Sequence, residues 1–461
     1  MAGIGFELQK LIQRDDLSGP ARGYLYAAAV VAGPWILTVA AIVFITYWAA
    51  QAGAPAELPL FRTIVLYNFS ISLALSAAFA MVTTRYLADR LYDGDESQTT
   101  GALSASILFS LAVQAPAPLI LYFVIADIPA GLALIAVADY FAVAALWVAV
   151  VYLSTLKDYA PIVFAFVAGA GVSAAGASIL AGFGAAGLLT GFTAGIALTL
   201  FMILGRTLGE FRAPVRRPIQ FFRAFKAFPE LAIGAFAYNV AIWIDKWIFW
   251  FDPTQKSEVG GLSVFPPYDG AMFLAHLTLV PGLAVFFALV ETSFYERYRA
   301  FFWAVRNHGT LGEIENAQRE LNLETRRGAR TLLALHAAVA VGALLVAPLL
   351  ANVIALSPAQ LGIFRFGVIG TAAHGFFLYA LILLGYFDMR RRMLVLSLTF
   401  LGLNALFTLI SQQFGYQFYG AGYFLAALLS AAAAATVATY EFKRLRYLTF
   451  IGNNPATGRG L

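Results

Sequence analysis

The chain has 461 residues, of which 61% are hydrophobic and only 12% charged, and its formal net charge is +5. Soluble domains carry about 25% charged residues, so a water-soluble fold is excluded and the chain belongs in a bilayer. It contains no cysteine, which rules out disulfide frameworks, thiolate metal sites and thiol nucleophiles.

In chain order, "MAGIGFELQKLIQRDD" sets Ile4, Leu8, Leu11 and Ile12 at helical spacing. That predicts a surface helix over 1–16, lying along the membrane or docking a partner. The apolar run that follows, about 26 residues, exceeds the hydrophobic region of a signal peptide and is read as a retained first span. Spans are predicted at about 24–49, 63–87, 101–125, 130–153, 160–182 and 185–205, then at about 230–251, 270–292, 330–354, 360–386, 393–414 and 419–441. Twelve spans place both termini on one side. With that side cytoplasmic, all but four of the 30 Lys and Arg (Arg62, Lys246, Lys256 and Arg365) lie in or beside cytoplasmic segments, as the positive-inside rule requires. The basic excess therefore reflects topology and implies no nucleic-acid partner.

The fold class is an all-α polytopic membrane protein, with about twelve helices in two six-helix lobes related by a pseudo-two-fold axis. We divide it into an N-lobe over 1–205, a basic cytoplasmic linker over 206–229, a C-lobe over 230–445 and a cytoplasmic tail over 446–461. Within the C-lobe, a cytoplasmic segment over 295–330 carries Thr310 and Glu313 at capping-box spacing. Leu311, Ile314, Ala317 and Leu321 follow as an apolar face, which rests on lipid headgroups or docks a cytosolic partner.

Two motifs resemble chemistry without its context. "GFGAAG" (Gly182–Gly187) fits a dinucleotide fingerprint but joins two spans rather than a strand and a helix, so it predicts a tight turn. Gly187, Gly191 and Gly195 continue it at a spacing of four, which lets two helix backbones approach closely. "DGD" (Asp93–Asp95) lies in a short loop with no soluble domain around it. No catalytic residue, metal site or cofactor is expected.

Ionisable residues inside the spans carry the remaining information. Asp139 lies near the bilayer centre in span four and is too short to snorkel; it faces a water-filled cavity or a partner. His374, mid-way along span ten, is read chiefly as a neutral inter-helix hydrogen-bonding group. Arg85, Glu291 and Arg365 lie within two turns of a span end, where snorkelling competes with a pathway role. His276 sits toward the periplasmic end of span eight. Asp245 and Lys246, in "NVAIWIDKWIFWF", lie roughly 22 Å along span seven. Adjacent helical residues point about 100° apart, so the two are not expected to be each other's whole solution. Tyr238 shares the face of Asp245, and Asn239 that of Lys246, so the span should line an interior cavity. Trp243, Trp247 and Trp250 form a further stripe, compatible with an interfacial aromatic belt or with stacking on sugar rings.

The opening "MAGIGFELQKL", the "GPW" of span one (Gly33–Trp35) and "WIDKWIFWF" together resemble the membrane transporter family of the Pel exopolysaccharide system. The likeness runs over essentially the whole chain. That family is similar to a branch of the multidrug/oligosaccharidyl-lipid/polysaccharide exporter superfamily. The resemblance implies two lobes around a cleft of alternating access, in a Gram-negative inner membrane, moving a polysaccharide cargo rich in amino sugars. It implies as partners a cytosolic glycosyltransferase, a cyclic-di-GMP receptor protein and a further membrane protein with tetratricopeptide-type repeats, besides the membrane lipids. It places Pro34, as a kink in a gating helix, together with Arg85, Asn239, Asp245, Lys246, His276 and Glu291 near the path. On this reading the Asp245 carboxylate attracts amine-bearing sugars. Three alternatives stay open. One is an ion-coupled drug or metabolite antiporter using Asp139. Another is a flippase for lipid-linked oligosaccharides. The third is a scaffold assembling a synthase through the linker and the 295–330 segment.

Overall fold

The computed structural model describes residues 26–51, 55–94, 96–155, 160–211, 220–253 and 256–452. The predicted surface helix over 1–16, Asp95, Arg212, Arg216 and Arg217 of the linker, and the tail beyond 452 lie outside them. The helices are α1 (Gly33–Gln51), α2 (Leu58–Tyr92), α3 (Thr99–Gln114), α4 (Ala130–Thr155), α5 (Ala160–Leu180), α6 (Gly184–Glu210), α7 (Gln220–Ala227) and α8 (Pro229–Trp250). A two-stranded antiparallel hairpin follows, β1 (Ser257–Val259) and β2 (Leu262–Val264). Then come α9 (Pro266–Leu277), α10 (Val280–Leu289), α11 (Tyr295–Arg306), α12 (Leu311–Val353), α13 (Pro358–Tyr386), α14 (Arg390–Gln413) and α15 (Ala421–Lys443). Among the described residues, eleven segments are long and apolar enough to cross a bilayer. One of them, Ala160–Glu210, is the α5–α6 hairpin and crosses twice, which makes the twelve predicted passes.

Helix starts follow the local sequence. Ser357 and Thr310 each cap a helix in a reciprocal box, with Gln360 and Glu313 as the returning partners. The Thr310 backbone N–H and then its hydroxyl hold the exposed Glu313 carboxyl below its ordinary pKa. Pro358 takes the first turn of α13, where the missing N–H costs nothing.

α12 runs 43 residues, roughly 65 Å at 1.5 Å per residue, about twice the hydrocarbon thickness. Its first turns therefore lie beyond the apolar span, and the structure corrects the surface expected there. Ile314 and Leu321 are buried together with Gln318 and Thr325, while Leu311 is exposed. That face packs against α11 and the end of α15. The Gln318 amide donates to the Phe442 carbonyl at 3.0 Å, and Arg446 pairs with Glu315. The protein's own helices cover Ile314 and Leu321 of the stripe that was expected to meet headgroups or a cytosolic partner, and Leu311 stays exposed.

The α5–α6 hairpin matches its predicted form. Residues 181–183 make one tight helical turn, and Gly184, at φ +66°, opens α6. A Cβ on Gly187 would lie 1.9 Å from the Leu180 carbonyl oxygen. One on Gly191 would lie 2.0 Å from the Ala177 nitrogen, and one on Gly195 2.2 Å from the Gly169 oxygen. Backbone meets backbone along this seam, so no side chain fits.

The chain forms two compact units, one of them Ala29–Pro266 and the other including 267–452. The division follows the hairpin rather than the 206–229 linker, because α8 packs on α2 within the first unit. In that unit α2 contacts α4, α4 contacts α6, and α1 lies on α5. α7, inside the linker, inserts Phe221 beside Tyr86, Ala102 and Phe225. In the second unit α13 is central, contacting α12 and α15, and α14 packs on α15.

Replacing Gly191 with Leu forces the α5 and α6 backbones apart and is expected to cost about 3 kcal/mol or more. Gly171→Leu, where nothing lies within 4 Å, is expected to be tolerated. Thermal melting of the purified variants in detergent compares the two; equal melting temperatures would rule out the close seam.

Candidate transport site

A helix crossing hydrocarbon satisfies its own backbone, so polar side chains within it need partners from the protein or from water. In the first unit, Asp245 and Lys246 are both buried. The four-carbon stem of Lys246 closes the angle between neighbouring positions: Nζ lies 3.1 Å from Asp245 Oδ2 and 3.2 Å from Oδ1, and donates to the Ile242 carbonyl at 3.1 Å. The two residues therefore pair directly, and Nζ also lies 5.6 Å from the Trp243 ring centre. Asn239 turns back on its own helix, donating to the Ala235 carbonyl at 2.9 Å. Tyr238 is half-buried, two turns before Asp245.

The end of α8 is held from two sides. Trp250, buried rather than belt-like, stacks on Tyr67 of α2 at 4.6 Å. The Tyr67 hydroxyl donates to the Ser263 carbonyl at 2.6 Å, tying α2 to the hairpin. Gly260 and Gly261 turn that hairpin at φ +57° and +73°. The Asp127 N–H donates to the Gly260 carbonyl at 2.9 Å, and a Cβ on Gly261 would lie 2.7 Å from the same nitrogen. Two glycines between short β-prone runs are a hairpin signal that our reading of the spans passed over.

Asp139 forms a second centre. It is fully buried in α4, where Asn68 Nδ2 donates to Oδ2 at 2.8 Å and the Thr193 hydroxyl to Oδ1 at 3.1 Å. The Tyr122 hydroxyl donates to Asn68 Oδ1 at 2.6 Å and so fixes the amide. Among the described residues no Lys or Arg is ion-paired with this carboxyl. The polar seam continues along α2, where Ser72 accepts from Trp147 and Ser76 from Gln114, whose own carbonyl accepts from Tyr140. Asn68, Ser72 and Ser76 recur every four residues, a stripe readable in the sequence. Tyr122 and Thr193 carry no comparable signal.

The structure does not bring every candidate together. Arg85 pairs with Asp89 at 3.3 Å and lies over the Phe228 ring just before α8 begins. Asp245 is 17 positions further on, roughly 25 Å along the helix. Pro34 is the second residue of α1, just after a break in the helix at Ala32, because it disfavours a helical residue before it and gives no N–H to the preceding turn. In the second unit, His374 shares a 2.7 Å hydrogen bond with the Tyr423 hydroxyl, the inter-helix contact expected of it. His276 bonds the Met272 carbonyl at 2.7 Å and lies 5.3 Å, ring to ring, from the same Tyr423. Glu291 stands half-buried in a π turn over Val290–Phe294. Arg365 is exposed on α13. His336, in span nine, was missed although its signal equals that of His374. It is buried where Gly282 and Gly375 leave room, with a Cβ on either falling within 2.4 Å of the ring.

Comparison with known proteins classifies this architecture. The family described as "PelG: Putative exopolysaccharide Exporter (EPS-E)" matches residues 1–450. The chain belongs to that family. It is a multi-pass membrane transporter, and the class is a non-catalytic one. No curated protein matches it. Solved structures share its fold: a multidrug resistance MATE family transporter of the MOP superfamily is 15% identical in an outward-facing conformation, at a TM-score of 0.64, covering 97% of this chain and 99% of its own. The inward-facing form is 14% identical at 0.64, covering 96% and 99%. A MOP superfamily transporter from Pyrococcus furiosus, described as having a binding pocket of reversed polarity, is 15% identical at 0.60, covering 97% and 99%.

Removing one partner of a buried pair leaves an uncompensated charge at a cost of about 3–5 kcal/mol. Asp245→Asn is expected to lose that much stability, and the Asp245→Asn/Lys246→Met double variant to recover most of it. Melting temperatures of the purified proteins read the cycle; a double variant no better than the single one would mean the pair is not coupled.

Proposed function

We propose that this PelG-family protein carries an amino-sugar-rich exopolysaccharide across a bacterial inner membrane, from cytoplasm to periplasm, through a hydrated path. The observation that carries the proposal is the family match over residues 1–450. The fold supports it, since structures sharing it include transporters in outward- and inward-facing conformations. In this reading Asp245, Lys246 and Asn239 line the outer part of the path, the nearby Trp and Tyr rings stack on sugars, and the carboxylate attracts amine-bearing units. Arg85, His276 and Glu291 are further candidates for contact with the cargo, and Pro34 gives the first helix a point to bend. Both termini lie in the cytoplasm. There a glycosyltransferase, a cyclic-di-GMP receptor protein and a further membrane protein complete a synthase and export complex.

One observation favours a second element, coupling to an ion. Asp139 is fully buried and accepts hydrogen bonds from two neutral donors, the Asn68 amide and the Thr193 hydroxyl. A carboxyl so placed can take up a proton or a small cation during the transport cycle.

In a strain lacking the gene, secreted amino-sugar polymer is expected to be lost and to return with the wild-type gene, at unchanged drug sensitivity. Asp245→Asn and Lys246→Met, restored at wild-type protein levels, are each expected to lower secretion at least about ten-fold. Normal polymer with altered drug sensitivity would overturn the cargo. Normal secretion by both variants would overturn the role of the pair.

A further inference from the structure

The second unit contains a cavity of about 100 Å³ at the end of its helices where the arginines gather. α13 supplies its floor through Phe376, Ala380 and Leu383, and α15 adds Ala435 and Ala438, so its depth is apolar. Its mouth is cationic, with Arg326 on α12 and Lys443 at the end of α15, both exposed. Neither cation is ion-paired among the described residues. The acids nearest to them in the chain are engaged elsewhere: Glu324 pairs with Arg327 at 3.6 Å and Glu441 with Arg392 at 2.8 Å. The Gln318–Phe442 bond and the Arg446–Glu315 pair tie α12 to α15 beyond the mouth.

The level of this cavity follows from the sequence. Residues 322–329 lie just before the apolar run of span nine, and α13 ends at Tyr386. The mouth therefore sits at headgroup depth on the side that the Lys and Arg bias assigns to the cytoplasm. An apolar trough opening under two uncompensated cations at that depth matches one ligand chemistry. A phosphodiester would meet Arg326 and Lys443, with an acyl chain lying along the alanines and Phe376. Arg and Lys clustered between helices at a cytoplasmic face bind anionic headgroups in this way.

We propose that this cavity is a binding site for an anionic phospholipid of the inner leaflet. The alanines at 435 and 438 keep the trough open, because larger side chains there would fill it. Bound lipid bridges α12 and α15 across α13 and so stiffens the second unit. The site is independent of the cargo, and it stands whether or not the transport reading does.

The test uses the full-length protein, delipidated in mild detergent, with thermal melting followed against added phosphatidylglycerol, phosphatidylcholine or inorganic phosphate. Phosphatidylglycerol is expected to raise the melting temperature, and the other two to leave it unchanged. In Arg326→Ala/Lys443→Ala the lipid concentration for half-maximal effect should rise roughly thirty-fold, each cation near an anionic headgroup contributing about a factor of five. Ala435→Leu should weaken the effect with the cations intact. Arg306→Ala/Arg391→Ala, which removes equal charge at the same end, should behave as wild type. An unchanged response in the first double variant overturns the site, and so does an equal loss in the second, which would mean bulk charge. A response to inorganic phosphate equal to that of the lipid would mean a free-anion site and overturns the lipid.

Discussion

Hydrocarbon offers no water, and that condition organises the molecule. Each polar group inside a span must be met by another part of the protein or cost several kcal/mol. The first unit meets the demand by joining helices through their polar side chains. Asn68 links α2 to α4 through Asp139, Thr193 brings in α6, and Tyr122 holds the amide from behind. The same groups that are expensive to bury become the contacts that fix which helix lies beside which. Stability and site are therefore built from one set of residues.

The Asp245–Lys246 pair follows another logic. Its charges cancel within one turn of α8, so the helix carries an ion pair into the membrane with no net charge from these two residues. Tyr67, Trp250 and the hairpin then hold the end of the helix. Close packing at the α5–α6 seam contrasts with this, because there only shape matters and glycine supplies it. The second unit combines both modes: His336 fits a gap left by two glycines, and His374 is fixed by Tyr423.

The spans, the α5–α6 turn, the close glycine seam and the Thr310 cap were all legible beforehand, because each depends on residues near one another in the chain. The stripe over Leu311–Leu321 was legible as apolar, but the covering of Ile314 and Leu321 was not, since their partners, α11 and the end of α15, are fixed by the fold. Adjacent residues on a helix do diverge, and from that the direct pairing of Asp245 with Lys246 looked insufficient. The reach of a lysine side chain lets the two pair all the same, while Nζ keeps a further partner in the Ile242 carbonyl. Asp139 announced itself as a buried acid, but its neighbours come from positions 68 and 193, and no local pattern connects them.

The sequence by itself determined that the protein lives in a membrane, how many times it crosses, and where its cost-bearing residues lie along each helix. Those properties follow from the hydrophobic effect acting on one segment at a time. Only the tertiary structure decided which helices share a polar contact, that α8 packs with the spans before it, and that α12 and α15 leave an open trough over α13. Such choices depend on rotation about helix axes and on side-chain reach between distant segments, quantities that the composition of a single span leaves free.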